Sequence, residues 1–197
     1  MQMLSAHAAL IAKAAGPQLR PLKRVEYDRL AAEGFFEHER VELLCGMVVS
    51  MPPLSVEHNE SVSRLHRLLD RQLADRAIVR SQSSFPTSDD SEPEPDIYVI
   101  PNGSYWKQHP ERAFLVVEVA RSSVERDRAK QYLYANGRVD EYWIVNHEQG
   151  KVEVYREPRD GVWRVRTVHQ RGESVSPVAF PDVRISVGDV LPPADIE

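Results

Sequence analysis

The chain has 197 residues, of which 42% are hydrophobic and 28% are charged, the composition of one mid-sized globular domain. Its formal net charge of -5 excludes a protein that holds nucleic acid through a general basic surface, so positive charge for such a partner must be local. The single cysteine, Cys45, excludes an intramolecular disulfide, and no apolar stretch approaches the length of a membrane span. We therefore expect a protein of the reducing cytoplasm with no membrane partner.

The N-terminal segment, residues 1–20, is predicted to be a loosely ordered or helical arm that ends near a Gly-Pro pair. A secretory signal is disfavoured because the segment lacks a basic start and its apolar part is interrupted by His7 and Lys13. No internal repeat or low-complexity tract follows. Residues 21–197 are therefore predicted to form one domain.

Periodicity and turn residues predict helices alternating with strands along this domain. In chain order these are a helix over 25–36, two short strands or one bent strand over 41–51, a helix over 57–74, strands over 96–100 and 113–119, a helix over 124–135, and strand-like segments EYWIV, KVEVYRE and GVWRVRTV. The last two are expected to form a hairpin through Pro158, Asp160 and Gly161. The pattern predicts an α+β domain around a mixed β-sheet, with helices against the sheet and extra C-terminal hairpin strands.

Two of the predicted helices carry an apolar face. In the helix over 25–36, Val25, Leu30 and Ala31 are expected to point inward, and Gly34 is a plausible C-terminal stop. The helix over 57–74 has a core face and a neighbouring basic stripe. The core face contains Val62, Leu65, Leu69 and Leu73, and the stripe contains Arg64, Arg67 and Arg71.

An acidic residue, Glu118, interrupts the apolar strand FLVVEV, where a sheet core would favour another valine. If the strands over 96–100 and 113–119 pair antiparallel with Ile100 opposite Phe114, then Asp96 lies opposite Glu118. Opposed residues have Cβ atoms about 5 Å apart on the same face. Two carboxylates that close repel unless a proton or a cation lies between them, and Mg²⁺ is a natural partner.

Other interpretations of these acids remain open at this point. Glu118 could be solvated, or paired with Arg121 or Arg126, and a slip of one residue in register would put Asp96 on the other face. The following helix is expected to begin with a capping box of Ser122 and Glu125.

The same helix places three polar side chains on one face. Asp127, Lys130 and Tyr134 recur at spacings of three and four, with Gln131 adjacent, so they could lean over the carboxylates. A lysine there could position a water nucleophile and neutralise charge on a phosphoryl transition state. The alternative is a surface ion pair between Asp127 and Lys130.

Several segments together resemble a known family. EPEPDIYVI, LVVEVARSSVERDRAKQYLYANGRVDEYWIV and VELLCGMVVSMPPLSVEHN are similar to blocks of the Uma-two family of putative restriction endonucleases, a branch of the PD-(D/E)XK nuclease superfamily. The resemblance covers roughly residues 20 to 190. It implies a restriction-endonuclease-like core.

The resemblance also implies roles for individual residues. Asp96 and Glu118 match the two acidic half-motifs and would be metal ligands, and Glu42 matches an acid that could complete the metal site. The chain departs from the superfamily pattern at Ala120, where a lysine is expected, and Lys130 is the matching lysine on the next helix. Catalytic residues would thus be Asp96, Glu118, Lys130 and Glu42. Supporting residues would be Asp127, Tyr134, Gln82 and His58.

The activity implied by the resemblance is a metal-dependent endonuclease that hydrolyses phosphodiester bonds of DNA with Mg²⁺, or with Mn²⁺. Cleaving both strands of a duplex would call for two sites and hence a homodimer. The alternative is a catalytically silent binding or assembly module of the same fold. The acidic net charge and the missing lysine at Ala120 favour that alternative.

Overall fold

The computed structural model describes residues 20–193, so the predicted arm before Arg20 lies outside the described residues. The helices are α1 (Arg24–Ala32), α2 (Val56–Leu73) and α3 (Val124–Asn136), and 3-10 turns span Ala74–Arg76 and Val187–Val190. The strands are β1 (Val41–Leu44), β2 (Met47–Ser50), β3 (Ile78–Ser81), β4 (Ile97–Ile100), β5 (Leu115–Ala120), β6 (Glu141–Asn146), β7 (Lys151–Arg159), β8 (Val162–Gln170), β9 (Ser174–Val175) and β10 (Ile185–Ser186). Within 20–193, none of the helices combines the length and apolar character needed to cross a membrane.

A mixed sheet of six strands forms the centre of the fold. Its strand order is β3-β4-β5-β6-β7-β8, and every neighbouring pair is antiparallel except β5 and β6. A parallel pair needs a crossover connection, and α3 supplies it between β5 and β6. The predicted α+β class, the mixed sheet and the C-terminal hairpin of β7 and β8 are confirmed.

The central strand β5 is buried on both faces. Its odd-numbered residues Val117 and Val119 pack in a cluster with Leu65 and Leu69 of α2. Its even-numbered residue Val116 packs in a second cluster with Tyr134 of α3. Because side chains alternate along a strand, Glu118 points to the α3 side of the sheet. An acid at this position is therefore buried beneath α3.

The hairpin of β1 and β2 lies outside the main sheet and turns at Gly46, as expected for two short strands. Leu43 and Glu92 exchange backbone hydrogen bonds, with the Glu92 amide 2.7 Å from the Leu43 carbonyl. This bridge ties β1 to the segment that leads into β4. The β1 side chains are thereby held close to the start of β4.

Helix α1 ends at Ala32, and Gly34 follows with a φ of +84°, which confirms the predicted stop at this glycine. The predicted inward face was wrong, because Val25 is 70% exposed and Ala31 is exposed as well. The buried residue is Tyr27, whose hydroxyl donates to the carbonyl of Val41 at 3.0 Å. The helix packs on the small β1–β2 hairpin and not on the main sheet, so a single aromatic side chain makes most of its contact.

The predicted capping box of α3 was also wrong. The N-cap residue is Ser123, one position later, and its side chain makes no cap hydrogen bond. Its hydroxyl donates instead to a carboxylate oxygen of Asp127, at 2.6 Å. The buried Asp127 needs a donor, and it takes the hydroxyl that would otherwise cap the helix.

Candidate active site

The register of β4 against β5 brings two carboxylates together. Ile97 pairs with Val117 and Tyr98 with Val116, so Asp96 faces Glu118 as predicted. The Asp96 amide donates to Glu118 Oε2 at 3.3 Å. The two side chains therefore meet at one end of the strand pair.

Lys130 lies directly over this pair. Its Nζ atom is 3.1 Å from Glu118 Oε1 and 2.8 Å from Glu42 Oε2. The residue is only 3% exposed, so the surface ion pair with Asp127 is not what the structure contains. Helix α3 leaves β5 and returns across the sheet, which carries a lysine twelve residues downstream back over the glutamate.

Tyr134, one turn beyond Lys130, completes the environment of Glu118. Its hydroxyl donates to Glu118 Oε1 at 2.7 Å. The predicted common face of Asp127, Lys130 and Tyr134 is confirmed, since all three are buried on α3. Their partners differ in part, because Lys130 and Tyr134 both donate to Glu118 Oε1 whereas Asp127 accepts from the Ser123 hydroxyl.

Glu42 enters the site from β1. The Glu94 amide donates to its Oε2 atom at 3.3 Å, and its Oε1 atom has no hydrogen-bond partner within residues 20–193. Glu42 is nearly fully buried and contacts Lys130 from the side opposite Glu118. Its predicted role as a metal ligand stays a prediction, because the lysine stands between the two glutamates.

Asp96 has two further partners. The Val119 amide donates to its Oδ2 atom at 2.7 Å, and His58 Nε2 lies 3.0 Å from its Oδ1 atom. His58 is thus in the site, in agreement with its predicted place among the polar side chains that line it. Behind it, His147 Nε2 lies 2.9 Å from the Ser61 hydroxyl.

Gln82 does not line this site. Its side chain lines a separate open pocket beside Asn59 and His66. Its backbone amide donates to the Pro95 carbonyl at 3.1 Å, and its φ is +47°. Gln82 therefore supports the connection around β4 through its backbone, because the turn after β3 directs its side chain elsewhere.

Burial dominates the electrostatics of Glu118. It raises the pKa of the carboxyl to about 8, with Asp96, Asp127 and Glu42 adding to the rise and Lys130 opposing it. Burial likewise raises the pKa of Asp127, against the hydrogen bond from Ser123. Several carboxyl groups are therefore crowded around one lysine, and burial favours the protonated form of Glu118 and Asp127.

Burial acts in the opposite direction on the two basic side chains of the site, because it disfavours their protonated, charged form. Burial acts to lower the pKa of Lys130, but Glu118 and Glu42 outweigh it and raise that pKa. Burial acts in the same way on His58, and the hydrogen bond to Asp96 raises its pKa overall. Burial lowers the pKa of the neighbouring His147 to about 4. Lys130 is thus held as an ammonium ion.

These groups form the floor of an open cavity of about 440 Å³. Its upper walls come from the segment between β2 and α2 and from the loop that begins α3. The lining residues there are Met51, Pro52, Pro53, Leu54, Ser55, Glu94, Arg121, Ser122, Ser123 and Arg126. A substrate that enters the cavity would reach Asp96, Glu118 and Lys130.

The donor set fits a hard divalent cation. Glu42, Asp96, Glu118 and Asp127 are all buried around one lysine, and such an excess of carboxylates favours a cation. Within 20–193 no group of three or more His, Cys, Asp or Glu side chains is arranged to hold a metal ion. Mg²⁺ nevertheless needs only one or two carboxylates, since it keeps several waters. Asp96 and Glu118, which both line the cavity, would be the pair to hold such a cation.

The protein is thus a mixed six-stranded sheet with helices on both faces, and a buried carboxylate pair and a lysine lie at one end of the β4–β5 pair. The crystal structure of a putative nuclease from Anabaena variabilis, assigned to DUF820, has this fold with a TM-score of 0.69 and 16% identity, over 86% of this chain and 97% of that one. A family model described as putative restriction endonuclease, Uma2, matches residues 24–188. The chain belongs to this family, and the membership supports a nuclease.

Other comparisons add little. The type IIG restriction endonuclease BpuSI matches 58% of this chain and 13% of its own length, with 16% identity and a TM-score of 0.36, too low to compare folds. No curated protein matches the chain.

Two features of the site were missed by the sequence interpretation. Met51 to Leu54 were noted only as a proline-rich turn, yet they form a wall of the cavity. His147 was not singled out, and it lies behind His58 because the end of β6 adjoins the end of β5. A histidine directly after the strand EYWIVN was the available signal, since neighbouring parallel strands end at the same edge of a sheet.

Proposed function

We propose that the protein is a metal-dependent endonuclease that hydrolyses phosphodiester bonds of DNA. One observation carries the proposal: Lys130 Nζ lies 3.1 Å from Glu118 Oε1, beside Asp96, on the floor of a cavity open to solvent. The carboxylate pair and the lysine are the groups that metal-assisted phosphoryl chemistry requires. Membership of a family of putative restriction endonucleases supports the same conclusion.

Each residue has a definite task in this proposal. Asp96 and Glu118 would hold Mg²⁺ or Mn²⁺, which when bound would supply the charge to polarise a phosphoryl oxygen and to lower the pKa of a water. Lys130 orients the attacking water and offsets negative charge as the phosphorus becomes crowded. Glu42 and Tyr134 hold Lys130 and Glu118 in place through the contacts described above.

The positive charge that would contact the DNA backbone is confined to local groups of arginines, because the net charge of the chain is -5. Arg121 and Arg126 line the cavity near its entrance. The stripe of Arg64, Arg67 and Arg71 is exposed along α2 and offers further phosphate contacts. Arg64 is also paired with Glu60 at 2.6 Å, which weakens its share.

We also propose that the protein is a homodimer and that it is located in the cytoplasm. The dimer depends on the kind of DNA that is cut. Two sites are needed only if both strands of a duplex are cut, and closed two-fold dimers are the commonest way to supply them. Sedimentation equilibrium of the purified chain measures the mass in solution and tests the dimer.

The test of the proposal is cleavage of DNA in the presence of Mg²⁺ or Mn²⁺. Wild type is expected to cleave only with the cation, while Asp96→Ala and Lys130→Met lose at least about 100-fold in rate, the scale of one lost electrostatic group. Lys107→Met is the matched control for Lys130→Met, because Lys107 is exposed and lies outside the cavity.

Equal cleavage by wild type and Asp96→Ala would contradict the proposal, since it would indicate a contaminating nuclease or another site. A folded wild type that cleaves nothing with either cation would favour the catalytically silent module. Thermal unfolding of each variant separates loss of activity from loss of the fold.

A further inference from the structure

The reactive groups lie at the bottom of a recess. Glu118 and Lys130 are each 3% exposed, and Asp96 is 9% exposed. The recess above them holds about 440 Å³, which is within the range of pockets that enclose a single small molecule. A backbone phosphate of a nucleic acid must therefore enter the recess to reach these groups.

The two upper walls of the recess differ in chemistry. One wall is formed by four consecutive uncharged, apolar residues, Met51 to Leu54, in the segment between β2 and α2. A second wall is formed by Arg121, Ser122, Ser123 and Arg126 at the start of α3, and Glu94 and Asp127 also line the recess. Apolar and basic side chains thus line the same recess.

The basic wall has hydrogen-bond donors that could bind an anion. Arg126 Nε is buried and has no hydrogen-bond partner within residues 20–193, and it lies 4.0 Å from Asp127 Oδ1. Ser123 donates to Asp127, so its side chain leaves the first backbone N–H groups of α3 uncapped. Arg121 is 64% exposed in its side chain and makes only a 3.5 Å contact with Glu57. Both arginines can therefore turn to a phosphate.

We infer that the substrate is a single strand of DNA, whose sugar-phosphate backbone follows the arginine wall while a base packs on Met51 to Leu54. This inference rests on the proposed function and specifies its substrate class. A single strand exposes the apolar faces of its bases, and proteins that bind single strands combine a cationic track with surfaces on which bases pack. The unlike walls of the recess provide these two surfaces side by side.

A duplex fits the same recess poorly. Its bases are stacked and covered, so it presents no apolar face to Met51 to Leu54. It is stiff over about 50 nm, so a single phosphate does not bend out of its helix without cost. The net charge of -5 also disfavours the broad basic surface that the phosphates of a second strand would require. A single strand requires only one site, so a monomer suffices for its cleavage.

The test compares an unstructured, fluorescently labelled thymine-rich strand with the same strand annealed to its complement. Binding is measured by fluorescence anisotropy with Ca²⁺ replacing Mg²⁺, and cleavage is measured with Mg²⁺. The single strand is expected to bind at least about tenfold more tightly than the duplex and to be the strand that is cut. Equal or tighter binding of the duplex would overturn the inference.

The apolar wall is tested by two methionine substitutions. Met51→Ala is expected to weaken binding of the single strand about fivefold and to leave duplex binding unchanged. Met47→Ala is the matched control, because Met47 is 62% exposed on β2 and lies outside the recess. Equal effects of the two substitutions on the single strand would contradict a role for this wall.

The outcomes for the inference and for the proposed function are distinct. Cleavage that prefers the duplex would overturn the inferred substrate class and would still support the proposed nuclease activity. Tight binding of the single strand without cleavage of either DNA would support the inferred ligand and contradict the proposed nuclease activity.

Discussion

Glu118 is an acid in an apolar strand, and its surroundings explain why it is tolerated. Its two carboxylate oxygens accept from Lys130, Tyr134 and the Asp96 amide. A buried polar group that is hydrogen-bonded costs far less than an isolated one. The residue is therefore held in place by partners that an apolar substitution would leave unsatisfied.

The raised pKa of Glu118 predicts a pH dependence of stability. The folded protein binds this proton with a pKa of about 8, against an ordinary value of 4.5. Between these values the folded state holds more protons than the unfolded state, so the free energy of unfolding falls as the pH rises through this window. Chemical denaturation of metal-free wild type across the window measures the slope.

Glu118→Gln is the variant that tests this assignment, because glutamine cannot titrate. Its slope is expected to be shallower than that of wild type, whatever its absolute stability. Glu125→Gln serves as the control, since Glu125 is exposed on α3 and should leave the slope unchanged. An unchanged slope in Glu118→Gln would mean that another group binds the proton.

At the scale of elements, α3 must be held against the sheet for Lys130 to reach Glu118. Glu153 of β7 does much of this work, since it accepts from Arg128 of α3 and from Arg166 of β8 at 2.8 Å. Burial acts to raise the pKa of Glu153, but the hydrogen bonds from Arg128, Tyr155 and Arg166 outweigh it and lower that pKa to about 2.

Glu153→Gln is therefore expected to lower the free energy of unfolding at neutral pH by about 3 kcal/mol, since it removes one partner of a buried ion pair. The loss should shrink as the pH falls from about 4.5 towards about 2, because wild type then protonates the same carboxylate. Chemical denaturation of wild type and Glu153→Gln at several pH values measures this loss of unfolding free energy. Glu125→Gln should cost less than about 1 kcal/mol, because Glu125 pairs with the same Arg128 from an exposed position.

The β1–β2 hairpin carries Glu42 to Lys130, and its turn requires glycine. Gly46 has a φ of +75°, and an added Cβ would lie 2.2 Å from the Cβ of Pro21. Gly46→Ala is therefore expected to reduce stability by more than the about 1–2 kcal/mol of a left-handed backbone alone. It should also reduce cleavage, because Glu42 moves with the hairpin.

Gly150→Ala is the matched comparison for this substitution. Gly150 has a φ of +58°, but nothing lies within 4 Å of an added Cβ. The two variants share the backbone strain and differ only in the steric clash. Equal losses of unfolding free energy for the two would show that contact with Pro21 has no energetic role.

At the scale of the whole molecule, the excess of buried carboxylates couples cation binding to stability. A cation that binds the folded state alone stabilises it by about 2.7 kcal/mol at one hundred times its dissociation constant. Mg²⁺ or Mn²⁺ is therefore expected to raise the melting temperature of wild type, and Asp96→Asn should largely abolish the rise. Asp70→Asn, an exposed substitution on α2, should retain it. A rise that persists in Asp96→Asn would place the cation elsewhere.

Much of the local structure could be predicted from periodicity. The core face of α2 was found correctly, since Val62, Leu65, Leu69 and Leu73 are all buried. The first helix was misjudged because its partner is a small hairpin outside the main sheet, so the ordinary rule of an apolar face did not apply to Val25. The capping box failed because tertiary burial of Asp127 redirected the hydroxyl of Ser123.

The sequence by itself determined relations within and between adjacent elements. Helical spacing alone put Lys130 and Tyr134 on one face. Strand alternation put Asp96 opposite Glu118 only under an assumed register, which the β4–β5 pairing confirms. Only the tertiary structure decided which partner Lys130 meets. Glu42 lies far away in sequence on a separate hairpin, and packing of that hairpin against the start of β4 brings it to 2.8 Å. Such contacts depend on how elements dock, which no local pattern in the chain encodes.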